Sequence, residues 1–164
     1  MEYIMLFLIM AIAIGAIVIA IRSNDAKMNK LVSEGKGAKR ERTFWMQQTT
    51  FTTTISSLDN VYAAINKTVL NEVNIECTVE PGVSVMFSQK VSGGGFVATL
   101  AVAGENGGKS QYTYQVDGYK GPNGYWKPTC LRGANILLTA IEKAFLQLDR
   151  ETALSRRTAS FKQK

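Results

Sequence analysis

A glycine-rich segment, AGENGGKS over residues 103–110, is the part of this chain that most closely approaches a ligand-binding motif. Its end fits the phosphate-binding loop GxxxxGK[S/T], in which backbone N–H groups and the N-terminus of a following helix face the phosphates. However, Ala103 replaces the first glycine, and the residues that follow, QYTYQVD, alternate as a strand does. Asn106-Gly107 is a hairpin signal. We therefore predict a β-hairpin here and no nucleotide site.

The remaining candidates for catalysis are one cysteine and one pair of carboxylates. The sequence has no histidine, so a nucleophile would need a lysine or carboxylate as its base. Cys130 precedes Arg132 at the start of a predicted helix, where a thiolate is favoured, and Glu76 and Glu80 share a strand face. A core thiol and a solvated face are the simpler interpretations. Cys77 and Cys130 form no CxxC pair. We predict no catalytic residue, no cofactor and no metal site, and so a protein that is not an enzyme.

The N-terminal segment, Tyr3 to Ile21, contains no charged residue and no proline. As a helix it would be roughly 28 Å long, close to the ~30 Å hydrocarbon core of a bilayer. A cleaved signal peptide and a buried core helix are the alternatives. The first has a basic n-region, which Met1 and Glu2 do not supply, and the second is rarely apolar on every face. We therefore predict a retained transmembrane anchor over residues 1–22.

Basic residues directly follow this anchor, and none precedes it. Because positive charge close to a membrane helix stays in the cytoplasm, we predict a single-pass protein of the cell membrane with its N-terminus outside and its C-terminal domain in the cytoplasm. The same residues suit anionic lipid headgroups. The predicted membrane-surface residues are Arg22, Lys27, Lys30, Lys36, Lys39, Arg40 and Arg42.

The net charge of +6 is unevenly distributed. Residues 22–42 carry +4, residues 43–149 carry −1 and residues 150–164 carry +4. A nucleic-acid-binding domain needs its positive charge on the folded surface, so nucleic acid is not a predicted partner. The composition instead predicts a basic juxtamembrane linker over 23–42, a folded domain over 43–152 and a basic flexible tail over 153–164. Solvated linker and tail are the simplest interpretation of both flanks.

Small residues within the anchor are spaced four apart, at Ala11 and Gly15 and at Ala16 and Ala20. Such pairs let two membrane helices approach closely, although alanine and glycine are common in membrane helices in any case. Self-association through the transmembrane helix is therefore one predicted contact of this chain.

The folded part has the pattern of an α+β domain. A strand over TFWMQQTTFTTTI, starting at Thr43, is followed by a helix over Leu58–Leu70, whose apolar residues fall at helical spacing. Four segments with alternating hydrophobicity and short glycine-containing turns then predict an antiparallel meander. A long amphipathic helix starts at about Thr129 and extends up to Leu154. The predicted fold is a transmembrane helix followed by strand, helix, four-strand meander and long C-terminal helix.

This order of elements resembles the helix-grip architecture of the START and Bet v 1-like superfamily. The resemblance is carried by FTTTISSLDNVYAAI (51–65), similar to its strand-to-helix opening, and by GANILLTAIEKAFLQLD (133–149), similar to its closing helix. It implies a long helix lying across a curved sheet, with a ligand cavity between them. The chain departs from this pattern in its shorter meander and in one opening helix instead of two, and no binding residue is carried over.

Aromatic and basic residues alternate in the loop before the last helix. This combination suits a protein interface or the headgroup layer, and the alternative is that Tyr125 and Trp126 close the end of the core. The predicted partner-contact residues are Tyr119, Lys120, Tyr125, Trp126 and Lys127.

Three functions follow from these patterns. The first is a membrane-anchored, non-catalytic binding or scaffolding domain that contacts a protein partner or lipid at the cytoplasmic membrane face. The second is a lipid or small-molecule carrier of the helix-grip type. The third is an exported, pilin-like surface subunit, which an oxidised Cys77–Cys130 pair would favour.

Overall fold

The computed structural model describes residues 2–41, 43–121 and 124–159, and the side chains of residues 2–4 are not part of that description. The helices are α1 (Glu2–Ser33), α2 (Leu58–Ala64), α3 (Lys67–Asn71) and α4 (Pro128–Leu148), with a short 3-10 helix at Phe44–Met46. The strands are β1 (Gln47–Thr53), β2 (Ile75–Glu80), β3 (Ser84–Val91), β4 (Gly94–Asn106), β5 (Lys109–Lys120) and β6 (Ala153–Thr158). The fold is α+β, as predicted.

The N-terminal helix α1 continues well beyond the predicted anchor. It runs unbroken to Ser33, so the first half of the predicted linker is helical. It ends where Gly35 adopts a positive φ of 68°, a conformation that favours glycine, and where the Lys36 N–H donates to the carbonyl of Leu31. Among the described residues, this is the one helix long and apolar enough to cross a bilayer, and its most apolar stretch is not buried against the domain.

The six strands form one antiparallel sheet in the order β2-β3-β4-β5-β1-β6. The four-strand meander is confirmed as β2 to β5. Strand β1 lies beside β5, the last strand of the meander, with Phe51 opposite Tyr112. It starts at Gln47, later than predicted, because Phe44–Met46 form the 3-10 turn.

The predicted flexible tail contains strand β6 instead. Its register places Gln47 opposite Thr158 and Thr52 opposite Ala153, so it satisfies the outer edge of β1. Arg157 Nε donates to Gln48 Oε1 at 2.8 Å across the strands. The high charge of these residues predicts a solvated coil, whereas the backbone hydrogen bonds of an edge strand do not depend on an apolar pattern. Residues 160–164 lie outside the described part of the chain.

The predicted helix over Leu58–Leu70 is in fact two helices. Ile65 is extended, with φ −65° and ψ 127°, which breaks the run after α2. Asn66 then caps α3, because its Oδ1 accepts a hydrogen bond from the Thr68 N–H at 3.1 Å. A short polar side chain that bonds the local backbone therefore overrides the apolar periodicity.

Helix α4 covers one face of the sheet and closes the core. Its apolar residues Leu137, Leu138, Ile141 and Phe145 are buried, but Leu148 is exposed. Phe145 stacks on Phe51 of β1, with ring centroids 4.2 Å apart and planes at 11°. The space between sheet and helix is thus filled by side chains.

Helix α4 ends at Leu148, earlier than predicted, because Asp149 ties its end to strand β1. Asp149 Oδ2 accepts hydrogen bonds from the Thr54 N–H at 2.9 Å and from Thr53 Oγ1 at 2.7 Å, and its Oδ1 accepts from the Glu151 N–H at 2.9 Å. These donors, the Thr54 N–H first, hold the pKa of Asp149 well below its ordinary range.

The Asp149 carboxylate predicts a pH dependence of stability. Because its pKa is lower in the folded chain than in the unfolded chain, the stabilisation is complete above the unfolded pKa of about 3.9 and is lost as the pH falls below it. We expect Asp149→Asn to lower the thermal midpoint at neutral pH, and the gap from the parent to close in acid. Melting curves across this range test this, and a gap that does not change with pH would refute it.

Candidate membrane-surface site

The segment after α1 packs tightly on α4. The Ala38 N–H donates to Asn135 Oδ1 at 3.0 Å, and Asn135 Nδ2 donates back to the Ala38 carbonyl at 2.9 Å. Asn135 is only 2% exposed. Lys143 Nζ also donates to the Gly35 carbonyl at 2.5 Å. This part of the predicted linker is therefore docked on the domain instead of forming a free tether.

Arg40, predicted as a membrane-surface residue, lies in a buried ion pair instead. Its guanidinium donates to both Glu142 oxygens, at 3.1 and 2.5 Å, and its side chain is 7% exposed. Arg156 of β6 joins the same carboxylate at 2.7 Å. The position of Arg40 within a basic run does not indicate that Glu142 lies opposite it on α4. Because this carboxylate engages its guanidinium, Arg40 is not available to lipid headgroups.

The other predicted membrane-surface residues divide into two groups. Lys36 pairs with Glu72 at 2.6 Å and Glu34 at 3.8 Å, and the hydrogen bond to Glu72 raises the pKa of this ammonium. Lys36 is half-buried, so it serves partly to fix α3 to the end of α1. The exposed group comprises Arg22, Lys27, Lys30 and Lys39. Arg42 lies outside the described residues.

The N-terminal end of α4 reaches back to α1. Arg132 Nη1 donates a hydrogen bond to Asn24 Oδ1. Asn24 lies two residues beyond Arg22, about 3 Å along a helix, so this contact is close to the end of the apolar segment. The start of α4 therefore lies at the end of the domain that faces the apolar part of α1.

A pocket of about 540 Å³ opens at this junction, between the end of α1, the turn after α3, strand β3 and the start of α4. We call it the junction pocket. Its lining combines cationic, anionic and apolar side chains with one buried amide, that of Gln89. The lining residues are Lys27, Lys30, Leu31, Glu34, Lys36, Glu72, Val73, Asn74, Gln89, Val91, Thr129, Arg132 and Ile136.

The predicted partner-contact loop divides into an inward and an outward part. Trp126 packs on Trp45, with centroids 5.0 Å apart, and on Tyr119, at 4.9 Å, so it closes one end of the core. Tyr125 is 76% exposed. Lys120 is exposed too, whereas Lys127 donates to the Ser92 carbonyl. Of the five residues, Tyr125 and Lys120 are thus the two that are exposed to a partner.

The candidates for catalysis lie at a hairpin tip, on an exposed strand face and in the core of the described chain. Residues 103–110 span the tip of the β4–β5 hairpin, whose turn is formed by Gly107 and Gly108 with φ of 60° and 76°, so the hairpin prediction is confirmed. Glu76 and Glu80 lie on the exposed face of β2. Burial raises the pKa of the Cys130 thiol and Lys127 only partly opposes this, so a thiolate is disfavoured.

Sequence reasoning missed Arg132 and Gln89 as members of one pocket. In the sequence, Arg132 stands out only as a neighbour of Cys130. Gln89 carried a usable signal, because it falls between Phe87 and Val91 on the inward face of β3, where an amide is unusual. No protein-family model, curated protein or solved structure matches the chain.

Proposed function

We propose that this chain is a single-pass membrane protein whose α+β domain is a non-catalytic binding or scaffolding module at the membrane surface, in contact with a protein partner or membrane lipid. The observation that carries the proposal is the direct continuity between the exposed apolar helix and the domain. Helix α1 is unbroken from Glu2 to Ser33, and the residues after it are bonded to α4 through Asn135 and Glu142.

This continuity favours a domain with a defined orientation on the membrane. The Arg132–Asn24 contact lies close to the end of the apolar segment, so the start of α4 would sit at the headgroup layer. The exposed Tyr125 lies three residues before α4, and aromatic side chains are enriched at this depth. The positive charge beyond Arg22 favours the cytoplasmic side of the cell membrane for the domain.

Self-association through the anchor is part of the proposal. Gly15 has no neighbouring atom within 4 Å of where a Cβ would be, so its small surface is open to a second helix. Ala11, Ala16 and Ala20 are also exposed along α1. Close approach of two such surfaces would bring two domains together at one membrane site.

The carrier alternative has less support. The resemblance to helix-grip domains implies a ligand between the sheet and the long helix, but Phe51, Tyr112 and Phe145 fill that space. The junction pocket lies instead at the end of this layer, beside α1. It suits a group that reaches the domain from the membrane surface better than a ligand enclosed and carried within the core.

The exported, pilin-like alternative would gain support from an oxidised cysteine pair, and the geometry opposes one. The two cysteines lie at different positions along the sheet. Cys77 lies opposite Phe87 of β3. The Cys130 sulfur lies beside Gly94 instead, 3.6 Å from where a Cβ on this glycine would be. Gly94 pairs with Val91, which is about 13 Å from Phe87 along β3. A disulfide needs Cβ atoms about 3.8 Å apart. Both thiols are free in the described structure.

We expect two reduced cysteines in the purified protein. The native chain should react slowly with a thiol reagent, with the buried Cys130 at least about tenfold slower than an unprotected thiol, because burial raises its pKa. Denaturation without reductant should then release two reactive thiols, one from each cysteine. Thiols that appear only after reduction would support export.

Site-specific photocrosslinking in native membranes tests the proposed function. A photoreactive residue at Tyr125 should capture a protein or lipid. The matched control is Glu105, which is also exposed but lies at the tip of the β4–β5 hairpin, about 36 Å along β4 from Gly94. We expect crosslinks from position 125 and few from position 105. Equal yields, or recovery of the protein in the soluble fraction, would contradict the proposal.

A further inference from the structure

We propose that the junction pocket binds the headgroup of an anionic phospholipid from the leaflet at which α1 leaves the membrane. This inference depends on the proposed membrane anchoring and adds a stoichiometric lipid site to it. The recognised group is a phosphate diester together with a hydrogen-bond donor on the headgroup, such as a hydroxyl.

The charges of the pocket are only partly balanced. Four cations and two carboxylates line it, and the carboxylates already contact lysines: Glu72 lies 2.6 Å from Lys36, and Glu34 lies 3.8 Å from Lys30 and 3.8 Å from Lys36. Within the described chain, neither Lys27 nor Arg132 has a carboxylate within ion-pair distance. These two cations are therefore available to a ligand phosphate.

Arg132 is the cation best placed for such a contact. It is half-buried, and its side chain donates to Asn24, whose amide oxygen carries no charge. A guanidinium offers five donors in a planar fork that fits phosphate oxygens, so a single amide partner leaves most of this capacity unused. A phosphate would neutralise the guanidinium and accept the remaining hydrogen bonds.

The buried amide of Gln89 adds an independent indication of a ligand. Gln89 is 2% exposed, and its Nε2 donates to the Val73 carbonyl at 2.7 Å, which fixes the orientation of the amide. Its Oε1 is buried and has no hydrogen-bond partner in the described chain. A buried acceptor without a donor costs free energy, and a headgroup hydroxyl reaching this wall of the pocket would supply one.

Gly133 makes room for this amide. A Cβ at position 133 would lie 2.5 Å from Gln89 Nε2 and 2.8 Å from Oε1, closer than real Cβ atoms approach. The amide is also held from its other side by Val73, so it cannot withdraw freely. Gly133→Ala should therefore displace the amide without removing any charge from the pocket.

The apolar side chains and the location favour a lipid over a soluble phosphate compound. Leu31, Val73, Val91 and Ile136 contribute apolar surface next to the cations, which suits the glycerol and first acyl carbons of a phospholipid. Lys27 is about 7.5 Å along α1 from Arg22, within the depth of the headgroup region. The volume is in the range of small-ligand sites.

Native mass spectrometry of the full chain in detergent, equilibrated with phosphatidylglycerol, tests this inference. We expect the parent protein to retain one phosphatidylglycerol molecule, and Arg132→Gln or Lys27→Gln to lower its retention at least about tenfold. Arg150→Gln and Lys67→Gln are the matched controls, because they remove the same charge from exposed positions outside the pocket and outside the predicted membrane-surface residues. Gly133→Ala should weaken retention at unchanged net charge.

Several results would overturn the inference. Equal losses of phosphatidylglycerol retention in the control variants would indicate diffuse charge attraction. Equal retention of phosphatidylcholine by the parent protein would show that the charge of the lipid does not determine binding. Displacement of the lipid by millimolar glycerol phosphate would assign the pocket to a soluble phosphate compound. Lys27→Gln changes only an exposed helix residue, so its result does not depend on folding. If the parent protein stays in carbonate-washed membranes but retains no lipid, only this inference fails; if it leaves the membranes, the proposed function fails.

Discussion

Replacing Phe145 by alanine is expected to lower the free energy of unfolding by about 3–5 kcal/mol, as for other buried phenylalanines. The ring is fully buried, stacks on Phe51 at 4.2 Å and lies 5.4 Å from Tyr112. Its removal leaves a cavity between α4 and the sheet that neighbouring aromatic rings cannot fill. Denaturant titration of the full chain in detergent, followed by fluorescence of the packed Trp45 and Trp126, measures the change.

The adjacent residue offers a matched control. Leu146 is 42% exposed, so Leu146→Ala removes a side chain of similar size from the other face of the same helix. Its cost should be below about 1 kcal/mol. Equal costs for the two substitutions would mean that α4 does not pack on the sheet through the face described here.

Replacing Arg40 by methionine is expected to destabilise the chain by about 3–5 kcal/mol. Methionine keeps most of the volume but leaves the Glu142 carboxylate, whose side chain is 14% exposed, with Arg156 as its remaining ion-pair partner in the described chain. Arg156 is 43% exposed and lies on an edge strand, so it compensates only in part. The same denaturant titration measures the loss.

Lys39 provides the control for Arg40. It belongs to the same basic segment, but it is exposed, so Lys39→Met should change stability by about 0.5 kcal/mol or less. In the double variant Arg40→Met/Glu142→Leu, most of the loss should be recovered because no buried charge is left unpaired. An Arg40→Met protein as stable as Lys39→Met would mean that the segment after α1 is not docked on α4.

The elements that sequence reasoning predicted well are those that a local pattern determines. An uncharged run of helix length, four alternating segments and an amphipathic helix each specify their own structure, and they correspond to α1, β2 to β5 and α4. The hairpin at Asn106-Gly107 followed from turn chemistry in the same way. Their ends were less accurate, because helices end through the extended backbone of Ile65 and the side-chain hydrogen bonds of Asp149, which hydropathy does not encode.

The features that were missed depend on tertiary contacts. Strand β6 exists because β1 presents an unpaired edge to it, and Arg40 is buried because Glu142 lies opposite on α4, about 100 positions later in the chain. The junction pocket combines α1, β3 and α4, so no continuous motif could reveal it. A count of charges along the sequence groups Arg40 with the exposed lysines. In the structure, Arg40 is buried in an ion pair and these lysines are exposed.

The most direct test of a membrane-anchored domain on the cytoplasmic side is labelling of a new cysteine at the β4–β5 hairpin, Glu105→Cys, with a membrane-impermeant maleimide. Glu105 is exposed and remote from the start of α4, and the parent chain reports background from Cys77 and Cys130. We predict that the variant stays in carbonate-washed membranes and is labelled only after the cells are permeabilised. Full labelling in intact cells, or recovery of the protein in the soluble fraction, would contradict the account.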